Sequence, residues 1–519
     1  MRKVKILTGY EAAELVKDND VLVTGGFVGS SAPETLNKSI EKLFLETGHP
    51  QNITLVHAAG QGDGKGKGSD HYAHEGLLKR VVAGHWNLAP KLGKLAVENK
   101  IEAYNLPQGT ISQLFRDIAG KRVGTITHVG LNTFVDPRIC GGKLNDKTTE
   151  DVVKLINIEG EEKLLYKSFP IDICFLRGSF ADRDGNVSLE REVATLEDTS
   201  IAQACKNNGG IVIVQVEKIV ESGTIDPRLV KIPGIYVDGI VVSKPEEHEQ
   251  SFGCEFNAAL TGDIRIPLNS VEKAPLNERK VIARRAAMEL NADTIVNLGI
   301  GIPEVISLVA NEEGIGEYMT LTVEAGPIGG IPQGCSAFGA SINPEAIIDQ
   351  PYQFDFYDGG GVDMAFLGLA QVDKEGNLNV SKFGTRIAGC GGFINITQNS
   401  KKVLFCGTFT AGGLKVNIGD GKLKIEQEGK VVKFINNVEQ ITFSGNYARK
   451  MNQDVMYVTE RAVFKLKQDG LYLTEIAPGI NLQKDILDLM DFKPKMEGVP
   501  KTMDERIFCE KPMGLKEEN

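Results

Sequence analysis

The stretch "NERKVIARRAAMELNADTIVNLGIGIPEVISLVA", residues 277–310, reads as a complete structural phrase. Asn277 can cap a helix over roughly residues 278–290, with Val281, Ile282, Ala286 and Leu290 on one side. Asn291 to Asp293 turn the chain, and Thr294 to Leu298 form a β-prone run. Gly299 and Gly301 follow, and Pro303-Glu304 suits the first turn of another helix. Helix, turn, strand, glycine loop and helix in that order describe an α/β layer, not a helical bundle or an all-β sandwich.

The same phrase occurs near the start, in "TGYEAAELVKDNDVLVTGGFVGSSAPETL", residues 8–36. Thr8 and Glu11 have capping-box spacing, and Ala12, Leu15 and Val16 give the helix an apolar face. Asp18 to Asp20 break it, Val21 to Val23 make a short strand, Gly25, Gly26 and Gly29 follow, and Pro33-Glu34 opens a helix. Two further pairs keep the register. "FADRDGNVSLE" from Phe180 answers "AQVDKEGNLNVS" from Ala370, each with a D-x-x-G-N turn between β-prone runs. "GGIVIVQVEKI" from Gly209 answers "KKVLFCGTFTAGG" from Lys401. Three pairs in one order indicate a duplication. Between the halves, "IRIPLNSVEKAPLNERK", residues 264–280, has two prolines and alternating charge, as linkers do. We therefore expect two related open α/β domains, residues 1–270 and 271–519, with helices layered around largely parallel sheets. The polar end from Pro494 is expected to be a surface tail.

Composition narrows the function classes. At 519 residues the chain exceeds a single core, and 41% hydrophobic with 24% charged residues is ordinary for a globular protein. Its 58 glycines lie above the usual ~7% and cluster after β-prone runs, where tight turns or close ligand approach call for them. A net charge of −11 argues against a nucleic-acid partner, while leaving room for one phosphorylated small ligand held by backbone amides. The opening "MRKVKILTGYEAAELVKDND" has no apolar core of signal-peptide length, and no run approaches the ~20 apolar residues of a membrane span. The expectation is a cytoplasmic protein with no membrane partner. The eight scattered cysteines and seven histidines form no metal-ligand spacing, so no metal is expected.

Ligands of α/β sheets bind at the carboxyl ends of strands, over glycine turns and helix N-termini. "GGFVGSSAP" (with Gly26 and Gly29), "NLGIGIP" (with Asn297, Gly299 and Gly301) and "YDGGGVD" (with Gly359, Gly360 and Gly361) are such places; each can equally be a tight connection. In "YNLPQGTISQLFRDIAG", Gln108 can aim an amide N–H at a developing oxyanion or simply brace a turn. In "AGCGGFINIT", Gly391, Gly392 and Phe393 offer consecutive N–H groups, and Cys390 reads as a small packing residue. The loop "GQGDGKGKGSDHYAHEGLLKR", residues 60–80, reads as solvated, although its lysines could meet phosphates. "LTVEAGPIGG", residues 321–330, places one carboxylate, Glu324, between a strand and a glycine turn; nothing local pairs with it, and from this stretch alone it reads as a solvated loop residue.

Taken together, "PQGTISQLFRDIAG", "NLGIGIPEV", "VEAGPIGG", "FDFYDGGGVD" and "GCGGFINI" resemble the class I, glutamate-type coenzyme A transferases. The likeness runs over nearly the whole chain, with both halves fused in the family's order, and is strongest toward propionate- and acetate-type members. The resemblance implies a fold shared with sugar-phosphate isomerases and Glu324 as nucleophile. It further implies Gln108 and the Gly391–Gly392 amides around the oxyanion, and CoA as a substrate with no permanently bound cofactor. Acyl-CoA and short-chain carboxylates (acetate, propionate, lactate) are the implied partners, and a homodimer or homotetramer the implied assembly. An acetate, acetoacetate or butyrate CoA-transferase and a thioesterase using the same glutamate are the alternatives. One departure is visible: family members often carry Asn or Ser after the nucleophile, where this chain has Ala325.

Overall fold

The computed structural model describes residues 4–267 and 273–517. Two compact units emerge, the first comprising 1–266, 323–355 and 383–395, the second 267–322, 356–382 and 396–519. The expected boundary near residue 270 lies outside the described residues. The units do not follow a single cut, because two segments of the second half, one of them carrying Glu324, group with the first unit.

In the first unit the main strands are β1 (Lys5–Leu7), β2 (Val21–Thr24), β3 (Ile53–His57), β4 (Leu78–Ala83), β5 (Glu102–Asn105), β6 (Ile173–Asp182), β7 (Ile211–Val220) and β8 (Gly239–Val242). They run parallel in the order β1-β8-β7-β6-β2-β3-β4-β5. Leu22, Leu55, Val81, Ile173 and Phe175 from the sheet pack with Leu36 and Ile40 of helix Glu34–Thr47 and Leu92 of helix Pro90–Val97. Burying near-continuous apolar strands under helices is how parallel sheets gain their stability.

The second unit contains β9 (Thr294–Leu298), β10 (Met319–Thr322), β11 (Met364–Gly368), β12 (Lys402–Cys406) and β13 (Asp454–Val458). These are parallel in the order β10-β9-β11-β12-β13. Two antiparallel strands, β14 (Ala462–Lys467) and β15 (Gly470–Ile476), extend it.

The order β10-β9-β11-β12-β13 repeats β3-β2-β6-β7-β8 strand for strand, and the repetition reaches individual hydrogen bonds. Asp172 Oδ2 accepts from Val21 N at 2.8 Å, and Asp363 Oδ2 accepts from Ile295 N at 2.9 Å. Gly25 N donates to Phe175 O at 3.0 Å, and Gly299 N to Phe366 O at 2.8 Å. In the D-x-x-G-N turns, Asp182 Oδ1 accepts from Asp184 N and Asn186 N at 2.9 and 3.0 Å. Asp373 Oδ1 accepts from Glu375 N and Asn377 N, both at 3.0 Å. The caps match too: Thr8 and Glu11 form the capping box, and Asn277 accepts from Lys280 N.

Two loop expectations are corrected. Residues 60–80 are not a solvated loop. Ser69, Asp70, His71 and Tyr72 are buried, Asp70 Oδ1 accepts from Lys91 N and Leu92 N at the start of helix Pro90–Val97, and His71 lies between the carboxylates of Glu34 and Glu41. Burial alone lowers the His71 pKa, but the two carboxylates outweigh it and hold it above the ordinary value. Lys67 pairs with Glu249 at 2.9 Å.

Nor is the end of the chain a surface tail. Met503, Ile507, Phe508, Met513 and Leu515 join the second unit's core, because apolar residues at irregular spacing can still bury when the backbone finds partners. Buried Arg284 donates to the carbonyls of Ile507, Cys509 and Lys511, while Glu313 accepts from Met513 N and Gly514 N, both at 2.8 Å. Removing side-chain volume here has a clear consequence. Ile507→Ala is expected to destabilise the protein by about 2–5 kcal/mol, seen as a lower urea midpoint; an unchanged midpoint would mean that the segment is not part of the core.

Candidate active site

Glu324 is presented by a tight turn. Gly326 N donates to Val323 O and Val323 N to Pro327 O, both at 2.9 Å, so the chain reverses immediately after β10. Gly326 has φ +129°, and a Cβ there would lie 2.0 Å from Ile348 O, so only glycine fits. Gln353 Nε2 braces the turn from Val323 O at 3.2 Å. This turn is why a single carboxylate follows the strand: it is held at an apex.

Counting from the matched Asp172–Val21 and Asp363–Ile295 bonds, with β2 pairing Val21 to Thr54 and β9 pairing Ile295 to Thr320, Glu324 corresponds to Ala58 of the first unit. Only the later copy carries a carboxylate at this position. Ala58 has a different task, its carbonyl accepting from Gly84 N at 3.1 Å.

From Gly84 a chain of bonds leads to the site. Gly391 N donates to Gly84 O at 2.7 Å, and Gln108 N donates to Gly391 O at 2.9 Å. Asn105, at the end of β5 and fully buried, donates to Ala83 O and Gly84 O and accepts from Cys390 N at 3.0 Å. The 390–392 turn is thereby fastened to the carboxyl ends of β4 and β5. Gly391 sits at φ +52°. A Cβ on Gly392 would stand 3.2 Å from both Cδ and Oε2 of Glu324, so a bare backbone lies directly against the carboxyl. Phe354 forms the adjoining wall, its ring 3.2 Å from that same Cβ position and 2.3 Å from one on Gly109.

Glu324 is partly buried, and desolvation pushes its carboxyl up to about 7. Among the described residues no cationic neighbour opposes the shift. Gln108 is buried at the first position of helix Gln108–Ala119, and its Nε2 donates to Gln350 Oε1 at 3.2 Å. Gln350 Nε2 in turn donates to Glu197 Oε2 at 2.6 Å. Cys390 is buried and its thiol is pushed far up by desolvation, which fits packing and not nucleophilic chemistry.

The first unit therefore brings together Glu324, Gln108, Gly391 and Gly392. Of the two amides expected at an oxyanion, Gly391 N–H is committed to Gly84, while Gly392 N–H has no such bond among the described residues. The glycines expected around CoA divide. Gly26 has φ +126° and lies against Ala32, and a Cβ on Gly29 would strike Phe252 at 2.7 Å, so both serve close packing. In the second unit, Asn297 is buried and bonds Thr322 O and Tyr357 OH, Gly299 lies under Leu367, and Gly361 under Phe356. Gly359 and Gly360 end helix Gln350–Asp358, Gly360 at φ +85°. Gly301, at φ +91°, faces open space. Sequence reasoning missed Phe354, Gln350 and Glu197; Asn105 could have been noticed as a polar residue closing a strand just before "LPQG". Among the described residues no group of His, Cys, Asp and Glu could hold a metal, and no helix is long and apolar enough to cross a membrane.

A family model described as coenzyme A transferase matches residues 8–243. The chain is 46% identical to the acetate CoA-transferase YdiF of Escherichia coli strain K12, over 99% of this chain and 97% of that protein. It is 48% identical to the caffeate CoA-transferase of Acetobacterium woodii, over 98% of each. Among solved structures it is similar to an acyl-CoA transferase (YdiF) from Escherichia coli O157:H7 in a thioester complex with CoA, with 45% identity, a TM-score of 0.94, and 99% and 97% of the two chains covered.

The raised Glu324 pKa has a thermodynamic signature. Folding shifts the group from 4.5 to about 7, so the folded state binds the extra proton between those values and loses stability as pH rises through them. Glu324→Gln removes that penalty. The variant is expected to melt above the wild type at pH 8, with the gap closing as pH falls toward 4.5; a gap independent of pH would contradict a desolvated carboxylate.

Proposed function

This chain belongs to the coenzyme A transferase family, and from that premise we propose that it moves CoA between short-chain acyl-CoA and short-chain carboxylates, propionate among them, through covalent intermediates on Glu324. The observation that carries the reading is the exposed-backbone pocket around one carboxyl: Glu324 on its turn, Gly392 against it, and Gln108 bonded to the same 391–392 turn.

The ionised carboxylate attacks the thioester carbonyl of the donor, forming an acyl-glutamyl anhydride and releasing CoA thiolate. The thiolate attacks the Glu324 carbonyl, giving a glutamyl-CoA thioester and freeing the donor acid. The acceptor carboxylate then attacks that thioester, and the released thiolate takes the new acyl group from the second anhydride, restoring Glu324. No proton is gained or lost over the cycle. Each addition makes a tetrahedral oxyanion, for which the Gln108 amide and the Gly392 N–H are the donors. A desolvated carboxylate is a stronger nucleophile than a hydrated one, and exclusion of water protects the anhydride and thioester from hydrolysis. The relative crystallised as a thioester complex with CoA supports a covalent route.

Behind the proposed nucleophile the packing is apolar. Ala325 is fully buried in a cluster with Phe27, Val28, Val323, Phe338 and Ala340, and the Phe27 and Phe338 rings stack at 5.7 Å. An Asn or Ser at 325 would place a polar group in that apolar cluster, which accounts for the departure seen in the sequence.

Glu324→Ala is expected to abolish transfer, and acyl-CoA alone is expected to leave a CoA adduct on the peptide containing Glu324, read by mass spectrometry; a fully active variant or a peptide unmodified under turnover would refute the covalent mechanism. Gln108→Ala should lower kcat by about a hundredfold or more, as loss of one oxyanion donor does. Among acids offered to acetyl-CoA, propionate and butyrate should exceed caffeate in kcat/KM; the reverse ranking would overturn the short-chain assignment.

A further inference from the structure

An amide side chain has two faces, and only one stabilises an oxyanion. If Gln108 turned its carboxamide by half a rotation, it would present Oε1 where Nε2 is needed, replacing attraction with repulsion. Something must fix its direction. Gln108 Nε2 donates to Gln350 Oε1 at 3.2 Å, and Gln350 Nε2 donates to Glu197 Oε2 at 2.6 Å. Ser112 Oγ, one helical turn beyond Gln108, donates to the same Glu197 oxygen at 3.3 Å. The chain of bonds thus leaves the helix at Gln108 and returns to it at Ser112, a closed loop within the first unit. All four side chains are at most 2% exposed.

The loop has a polarity, set at Glu197. Its Oε2 accepts from both neighbours, so Gln350 turns its N–H toward Glu197 and its oxygen toward Gln108, and Gln108 answers with Nε2; burial pushes this carboxyl up to about 8, and the neutral acid with its proton on Oε1 keeps the same polarity. One N–H of Nε2 is used this way and the second remains for the reaction. Gln350 is itself fixed from the backbone, its N donating to Leu196 O at 2.9 Å, and the preceding Asp349 bonds Thr195 and, at 3.0 Å, Lys231. Among the described residues Glu197 makes no ion pair, and desolvation pushes its carboxyl up to about 8, so its burial carries a cost.

We propose that Glu197, acting through Gln350, is a positioning device that orients the Gln108 amide toward the oxyanion. This rests on the reading of Gln108 as an oxyanion donor and adds to it two buried residues that act through Gln108. Bonds in a buried series reinforce one another, so loss of the middle member should release the whole series.

The test is a double-mutant cycle on the full chain, with kcat, KM and melting temperature measured for each protein. Gln350→Met, close in volume but without either polar atom, is expected to lower kcat about tenfold to a hundredfold with KM for acyl-CoA and acid within twofold. The Gln108→Ala/Gln350→Met double variant should be no slower than Gln108→Ala alone, because both remove one function. Glu197→Gln, which still offers an acceptor oxygen, should keep kcat within about threefold of wild type, whereas Glu197→Met should fall with Gln350→Met; this pair serves equally if Gln350→Met does not fold. Unchanged kcat in Gln350→Met, or losses that multiply in the double variant, would overturn the positioning role while leaving Gln108 as donor. Unchanged kcat in Gln108→Ala would instead refute the donor reading itself.

Discussion

A carboxylate that must attack a thioester has to be withdrawn from water without being neutralised by a cation, since an ion pair would dull it and full hydration would shield it. Glu324, the proposed nucleophile, meets this constraint through desolvation, which lifts its pKa to about 7. Much around it follows. The neighbouring backbone must be bare, hence Gly392; the turn must reverse within a few residues, hence Gly326 at φ +129°. The wall must be apolar and rigid, and Phe354 and Ala325 supply it, both fully buried.

Much of the fold was legible because its signals are local. Thr8 with Glu11, Asn277, the D-x-x-G-N turns and the prolines before Glu34 and Glu304 each act within four residues, and each appears where its chemistry placed it. The fate of residues 60–80 was not legible, since glycines and lysines look solvated until Glu34 and Glu41, far back in the chain, are brought to His71. The end of the chain misled for the same reason: Ile507 and Phe508 show no periodicity, and only Arg284 and Glu313 make their burial possible.

The site divided along similar lines. Locally Glu324 read as a solvated loop residue and Gln108 as an oxyanion donor or a turn brace; the family motifs around them are what singled them out. Gln350 and Glu197 lie in stretches with nothing unusual about them, and their meaning comes from bonds that span 242 and 153 residues. Glycine clusters had a second cause besides close ligand approach: at Gly29, Gly299 and Gly361, Phe252, Leu367 and Phe356 leave no room for a Cβ. The repeat also shows how duplicated positions part company. Ala58 stands where the later copy has Glu324, and its carbonyl now anchors the glycine that anchors the 390–392 turn.

The interleaving of segments has an evolutionary and practical corollary. The first compact unit borrows residues 323–355 and 383–395 from beyond the linker. A gene broken near codon 266 would therefore yield an amino-terminal polypeptide lacking two stretches of its own interior, and a carboxy-terminal one in which Glu324 keeps Gly392 but loses Gln108. Such halves could be co-produced as separate subunits, but neither would be an enzyme by itself, and fission of the chain would enforce obligate association where the fused form has covalent continuity.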